Sequence, residues 1–150
     1  MSVLARYPMP GCERPHGIAI DAETRRVFST CVNKEMVVVD ADNGKIVATL
    51  PIGQGSDGAA FDAERKLALS SNADGTLTVV KEKSADDFAV IGHVATLKSA
   101  RTIAIDEKTG RVFLPAADIA KIEPPATEGG RPRVTFVSGS TKLLVFAPRS

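Results

Sequence analysis

The chain has 150 residues and a mass of 15.8 kDa, enough for one domain with a core and too little for two. Apolar residues make up 43% and charged residues 25%, and the net charge is +1, so nothing favours nucleic acid or an anionic membrane surface as a partner. Tryptophan is absent and aromatics are 5%, which weakens a base- or sugar-stacking surface, and the aliphatic runs are too short for a bilayer-spanning helix.

From the N-terminus, Met1 to Arg6 shows neither the basic stretch nor the apolar run of a signal peptide, so this stretch assigns no compartment. Val3–Pro8 reads as a short strand. Four further strands follow: His16–Asp21, Arg26–Cys31, Glu35–Asp40 and Lys45–Ile52. Each is rich in Val, Ile, Phe or Thr and too short for a helix. The turn residues Asp42-Asn43-Gly44 separate the last two.

The pattern then repeats. Residues 16–40 align without a gap on 57–81, with 8 identities in 25, and residues 16–33 align on 101–118, with 8 in 18. Val3–Pro8 (VLARYP) matches Val47–Ile52 (VATLPI), a fourth strand, and Lys142–Pro148 matches a third. Four-stranded units at this period predict an all-β chain of β-propeller blades. The expected blades are 15–53, 56–98 and 100–148, about three in all, with 1–8 as an outer strand of a neighbouring or swapped blade. Residues 119–140 read as a long loop insertion between the second and third strands of the last blade.

The stretch PHGIAIDAETRRVFSTCVNKEMVVVDADNGKIVATLPIG resembles the YVTN-type, YncE-like, seven-bladed β-propeller repeat family. The resemblance implies that the chain is the C-terminal half of such a propeller, with a periplasmic or secreted parent, and it assigns no activity. Three blades do not close a ring. The expected remedy is a homodimer forming a six-bladed ring, with exchange of Val3–Pro8 and more than ~2,000 Å² buried in total.

The alignment places His16, Asp57 and Arg101 at one repeat position, the start of each channel-lining strand. They form a polar ring at one mouth, suited to a small polar ligand or protein, or line a wet channel with no further role. Asn33, Asn72 and Asp74 follow the second strands at the same mouth, and Arg131 and Arg133 in the insertion favour an acidic ligand. Cys12 and Cys31, the two cysteines, belong to the same end of one blade. They read as a disulfide, as two thiols, or with His16 as a zinc or copper site.

Other motifs carry less. Gly53–Gly58 matches G-x-G-x-x-G but leads into a strand, so it is a turn between blades and no cofactor is expected there. Asp40–Gly44 lacks the far glutamate of a calcium loop. With two histidines and no G-x-S-x-G, no nucleophilic triad can be drawn. The leading expectation is therefore a non-enzymatic binding scaffold. The alternative is a lactonase- or esterase-like hydrolase holding a divalent metal with Asp57, Asn72, Asp74 and His16.

Overall fold

The computed structural model describes residues 1–148. Thirteen strands are present among them and no helix. Blade 1 holds β1 (Pro15–Asp21), β2 (Arg26–Cys31), β3 (Glu35–Asp40) and β4 (Ile46–Pro51); blade 2 holds β5 (Ser56–Asp62), β6 (Leu67–Asn72), β7 (Thr76–Ser84) and β8 (Asp87–Ala95). Each is an antiparallel meander in sequence order. Blade 3 has three strands, β9 (Ala104–Asp106), β10 (Arg111–Ala116) and β13 (Lys142–Phe146), in the order β13-β10-β9. Strands β11 (Ile119–Glu123) and β12 (Arg133–Phe136) form a separate two-stranded sheet.

Two sequence expectations need correction, and one concerns a second blade set. Within the single chain Val3–Pro8 is exposed and pairs with no sheet, the β13 edge being two blades away, so its place as an outer strand of a neighbouring or swapped blade is a matter of assembly. Residues 119–140 are not a structureless loop, since β11 and β12 pair from Ile119↔Phe136 to Glu123↔Arg133. The inner strand of blade 3 begins at Ala104, so Arg101 precedes it.

Alternation along each strand sends one side-chain set to each neighbouring blade. Phe28, Met36 and Val38 on blade 1 pack with Phe61, Ala68 and Val80 on blade 2. Leu69 and Leu77, on the other face of blade 2, pack with Val112 and Leu114 on blade 3. Sheets buried on both faces explain the unbroken apolar run Met36–Val39. A third cluster, Cys31, Val37 and Val39, lies on the outward face of blade 1 and is covered by Met9 and Cys12. The covering segment is fixed by a Cys12–Cys31 disulfide with Cα atoms 5.4 Å apart.

The inner strands converge at glycine. A Cβ on Gly17 would stand 2.6 Å from the backbone of Gly58 and Ala59, and one on Gly58 would stand 2.8 Å from Ile103. Side chains here would push the blades apart. Gly17→Val is expected to unfold the blade 1–blade 2 junction, read as a lowered thermal midpoint.

The opposite ends of the inner strands are held by the repeat aspartates. Asp21 accepts from the Glu23 N–H (2.9 Å) and Thr24 Oγ1 (3.0 Å). It also accepts from Lys66 Nζ of blade 2 (2.9 Å). Glu82 lies beside this group, 3% exposed. Its Oε1 lies 2.7 Å from Thr24 Oγ1 and shares that one hydroxyl proton with Asp21, while its Oε2 has no partner among the described residues.

Burial would raise the Asp21 pKa, but the Lys66 ammonium and the turn donors outweigh it and hold the carboxyl below its usual range. Burial pushes Glu82 up. The two carboxylates therefore oppose each other in pH. Asp21 contributes stability above its unfolded pKa and loses it as pH falls. Glu82 favours its protonated form in the fold, so its contribution is present at low pH and lost as pH rises. Glu82→Gln is expected to stabilise the chain at pH 7 and to change little at pH 3, measured by urea unfolding at both values.

Candidate functional site

Because each second strand returns to the start of its first, the openings of the inner strands, the β2–β3 and β6–β7 turns and the β11–β12 hairpin share one end. The pairs Pro15↔Cys31, Ser56↔Asn72 and Ala116↔Lys142 mark that end. Two inner strands break register there, between Pro15 and Ile18 and between Ser56 and Gly58. Such bulges re-aim side chains, and the residues displaced include His16 and Asp57.

His16 is exposed. Asp57 and Arg101 are brought together as an ion pair, Nη2 to Oδ1 at 3.0 Å, both partly exposed. The Arg101 carbonyl accepts from Ser71 Oγ of blade 2, so the backbone behind the guanidinium is fixed. Arg131 and Arg133 are exposed on the hairpin, whose base is closed by Val137 N–H to the Asp118 carbonyl (2.8 Å). Asp118 pairs with Lys142 at 2.7 Å.

Three residues expected at a ligand surface act instead as braces. Asn72 is fully buried. It donates through Nδ2 to Thr76 and Thr78 (both 3.0 Å) and accepts from Ser70 (2.8 Å). Ser56 Oγ continues this chain to Ser70, and His93 Nδ1 ends it at Thr78. Asp74 accepts from the Gln54 N–H (2.7 Å) and from Thr76. Asn33 ties the Glu13 N–H and the Gly11 carbonyl, at 3.1 and 2.8 Å, to the turn after β2. The repeat alignment located these polar positions, but only the hydrogen bonds show their direction.

The metal expectations do not fit this donor set. Both sulfurs of the Cys12–His16–Cys31 combination are joined to each other. Asn72 spends its oxygen inside the fold, the exposed Asp74 spends its oxygens on the Gln54 N–H and on Thr76, and Asp57 is neutralised by Arg101. No group of three His, Cys, Asp or Glu converges among the described residues.

No family model matches the chain, and no curated protein matches it. Solved structures do. Sqt1 of Saccharomyces cerevisiae superposes with a TM-score of 0.68 at 12% identity, covering 89% of this chain and 38% of that one. The dihydro-heme d1 dehydrogenase NirN, solved in complex with DHE, gives 0.63 at 17%, covering 97% and 34%. Hydrazine synthase of Kuenenia stuttgartiensis gives 0.64 at 12%, covering 92% and 40%. The fold is a β-propeller fold. Its blades number two with four strands and one with three among the described residues. The chain spans two fifths or less of the length of these propellers, and at such identity the likeness concerns architecture alone.

Proposed function

We propose that this propeller scaffold binds a small acidic ligand at the blade end bearing His16, Asp57 and Arg101, without catalysing a reaction. The observation that carries the reading is the Asp57–Arg101 pair. It holds a guanidinium fork, half exposed, at the blade end that also bears the exposed His16, Arg131 and Arg133. Arginine offers parallel donors to a carboxylate or phosphate, and Asp57 keeps the fork oriented until a ligand competes for it. The repeat stretch His16–Asp21 and its two echoes support a YVTN-type kinship. The Cys12–Cys31 bridge supports a periplasmic or secreted setting, where such bonds persist.

The test is calorimetric titration with a panel of small di- and tricarboxylates and inorganic phosphate. Arg101→Ala is expected to weaken binding by about tenfold or more, the scale of one charge-assisted hydrogen bond. Asn72→Asp, inside the fold, is expected to lower stability first. No heat from any anion in the panel, or equal affinity in Arg101→Ala, would overturn the reading.

A further inference from the structure

Among the described residues blade 3 has three strands, one fewer than blades 1 and 2. In blades 1 and 2 the third strand is followed outward by β4 and β8, whereas β13 ends its sheet. Where blades 1 and 2 face each other their outer strands meet, Ala48 and Leu50 of β4 packing into the cluster that also takes Phe88 and Val90 of β8. Between blades 2 and 3 none of the described residues occupies the corresponding place. A groove of about 850 Å³ lies there, its walls including Leu77, Val79, Val94, Phe146 and Pro148. An unpaired strand edge beside an apolar groove is a template for an added strand.

We propose that this edge and groove receive residues Val3–Pro8 of a second copy of the chain as the missing fourth strand. The exchange is reciprocal, and blade 3 of each copy seats on blade 1 of the other. Three observations select this occupant. First, Val3–Pro8 has the sequence character of β4, and its Val3 and Leu4 are 66% and 95% exposed in the single chain.

Second, a chain cannot serve itself. Cys12 is bonded to Cys31 on blade 1, and the four residues from there to Pro8 reach at most about 14 Å. The chain's own β13 lies beyond two blade-to-blade spacings of about 10 Å each. A second copy's blade 3 on the open face of blade 1 is one spacing away. The two end faces that would meet carry exposed apolar side chains: Ile18 and Ile20 on one, Leu143 and Val145 on the other.

Third, the charges correspond. At the junction of blades 1 and 2, Lys66 reaches across to Asp21. Arg25 occupies the Lys66 repeat position on blade 1, both have positive φ, and in the single chain its exposed guanidinium rests on Asp42 of the same blade at 2.8 Å. Asp106 occupies the Asp21 position on blade 3, where Thr109 and the Lys108 N–H hold its carboxylate. Seating blade 3 of one copy on blade 1 of another brings Arg25 to Asp106 of the second copy.

The pairing register follows from blade 1. Val38 stands opposite Ala48 there. Phe28↔Val38 and Phe113↔Val145 are the equivalent inner pairs, so Val145 is expected opposite Leu4 of the second copy. Leu4→Cys and Val145→Cys chains, both changed at exposed positions, are prepared separately, mixed under mild oxidation and run on a non-reducing gel. The expected result is a covalent species of twice the 15.8 kDa chain mass in the mixture. A self-coupled product of either variant alone at equal yield, or no covalent dimer from folded variants, would overturn the proposal. Should a variant fail to fold, native mass spectrometry of the unchanged chain with and without residues 1–8 decides. Dimer becoming monomer supports the exchange. A monomer in both, or a dimer in both, overturns it.

Discussion

Replacing Phe28 by alanine will lower the unfolding free energy by about 3–5 kcal/mol, the cost of emptying a buried aromatic site. Phe28 is fully buried. Its ring stacks on Phe61 with centroids 5.3 Å apart and meets Phe88 edge-on at 5.8 Å, so one side chain on blade 1 contacts two strands of blade 2. The cavity forms between two sheets whose inner strands already touch at Gly17 and Gly58, so the blades cannot slide together to fill it. A domain of this size has about 5–15 kcal/mol in total, and the loss removes a large part of that. Urea unfolding of Phe28→Ala against Phe28→Leu measures it. Leucine refills most of the volume and is expected to recover more than half of the loss, whereas equal losses for both would show that aromatic stacking, not volume, carries the junction.

A repeat encodes apolar strand positions such as that of Phe28 and leaves open where a polar side chain such as Asn72 turns. A blade's apolar positions face one of two neighbours, so they recur at every blade: Phe28, Leu69 and Phe113 fall on one repeat position. The two four-stranded meanders β1–β4 and β5–β8 follow from that recurrence, whereas the β11–β12 hairpin, which has no counterpart in the other blades, does not. Hydrogen-bond direction does not recur. Asn72, Asp74 and Asn33 share one blade end, yet Asn72 is turned into its own blade, Asp74 caps the Gln54 backbone, and Asn33 ties down Gly11 and Glu13. The Lys66–Asp21 bridge does not recur either. Its repeat position reads Arg25, Lys66 and Gly110, and only in blade 2 does the side chain reach a repeat aspartate of the preceding blade. Val3–Pro8 has strand character, but a strand needs an edge to pair with, and the edge it takes is not written in the segment itself.

Opening the Cys12–Cys31 bridge is the second large expected loss. By chain entropy alone, closing a loop with a sequence separation of 19 contributes about 3 kcal/mol. The structure adds a packing consequence. Met9 and Cys12 cover Val37 and Val39 on the face of blade 1 that no other blade covers, and the bridge keeps them there. Without it, the segment is held by weaker ties: Asn33 Nδ2 to the Gly11 carbonyl at 2.8 Å, the Cys12 N–H to the Met9 carbonyl at 3.2 Å, and the Tyr7 hydroxyl to the Asp42 carbonyl at 3.2 Å. Cys12→Ser with Cys31→Ala is therefore expected to lower the urea midpoint and, in native-state hydrogen exchange, to speed exchange in residues 9–14 far more than in β5–β8. A uniform acceleration across all blades would instead mean that the bridge acts only through the unfolded chain. Local acceleration would show that it also sets the surface on which a second copy's blade 3 is proposed to rest, so the reduced chain should then lose its dimer before it loses its fold.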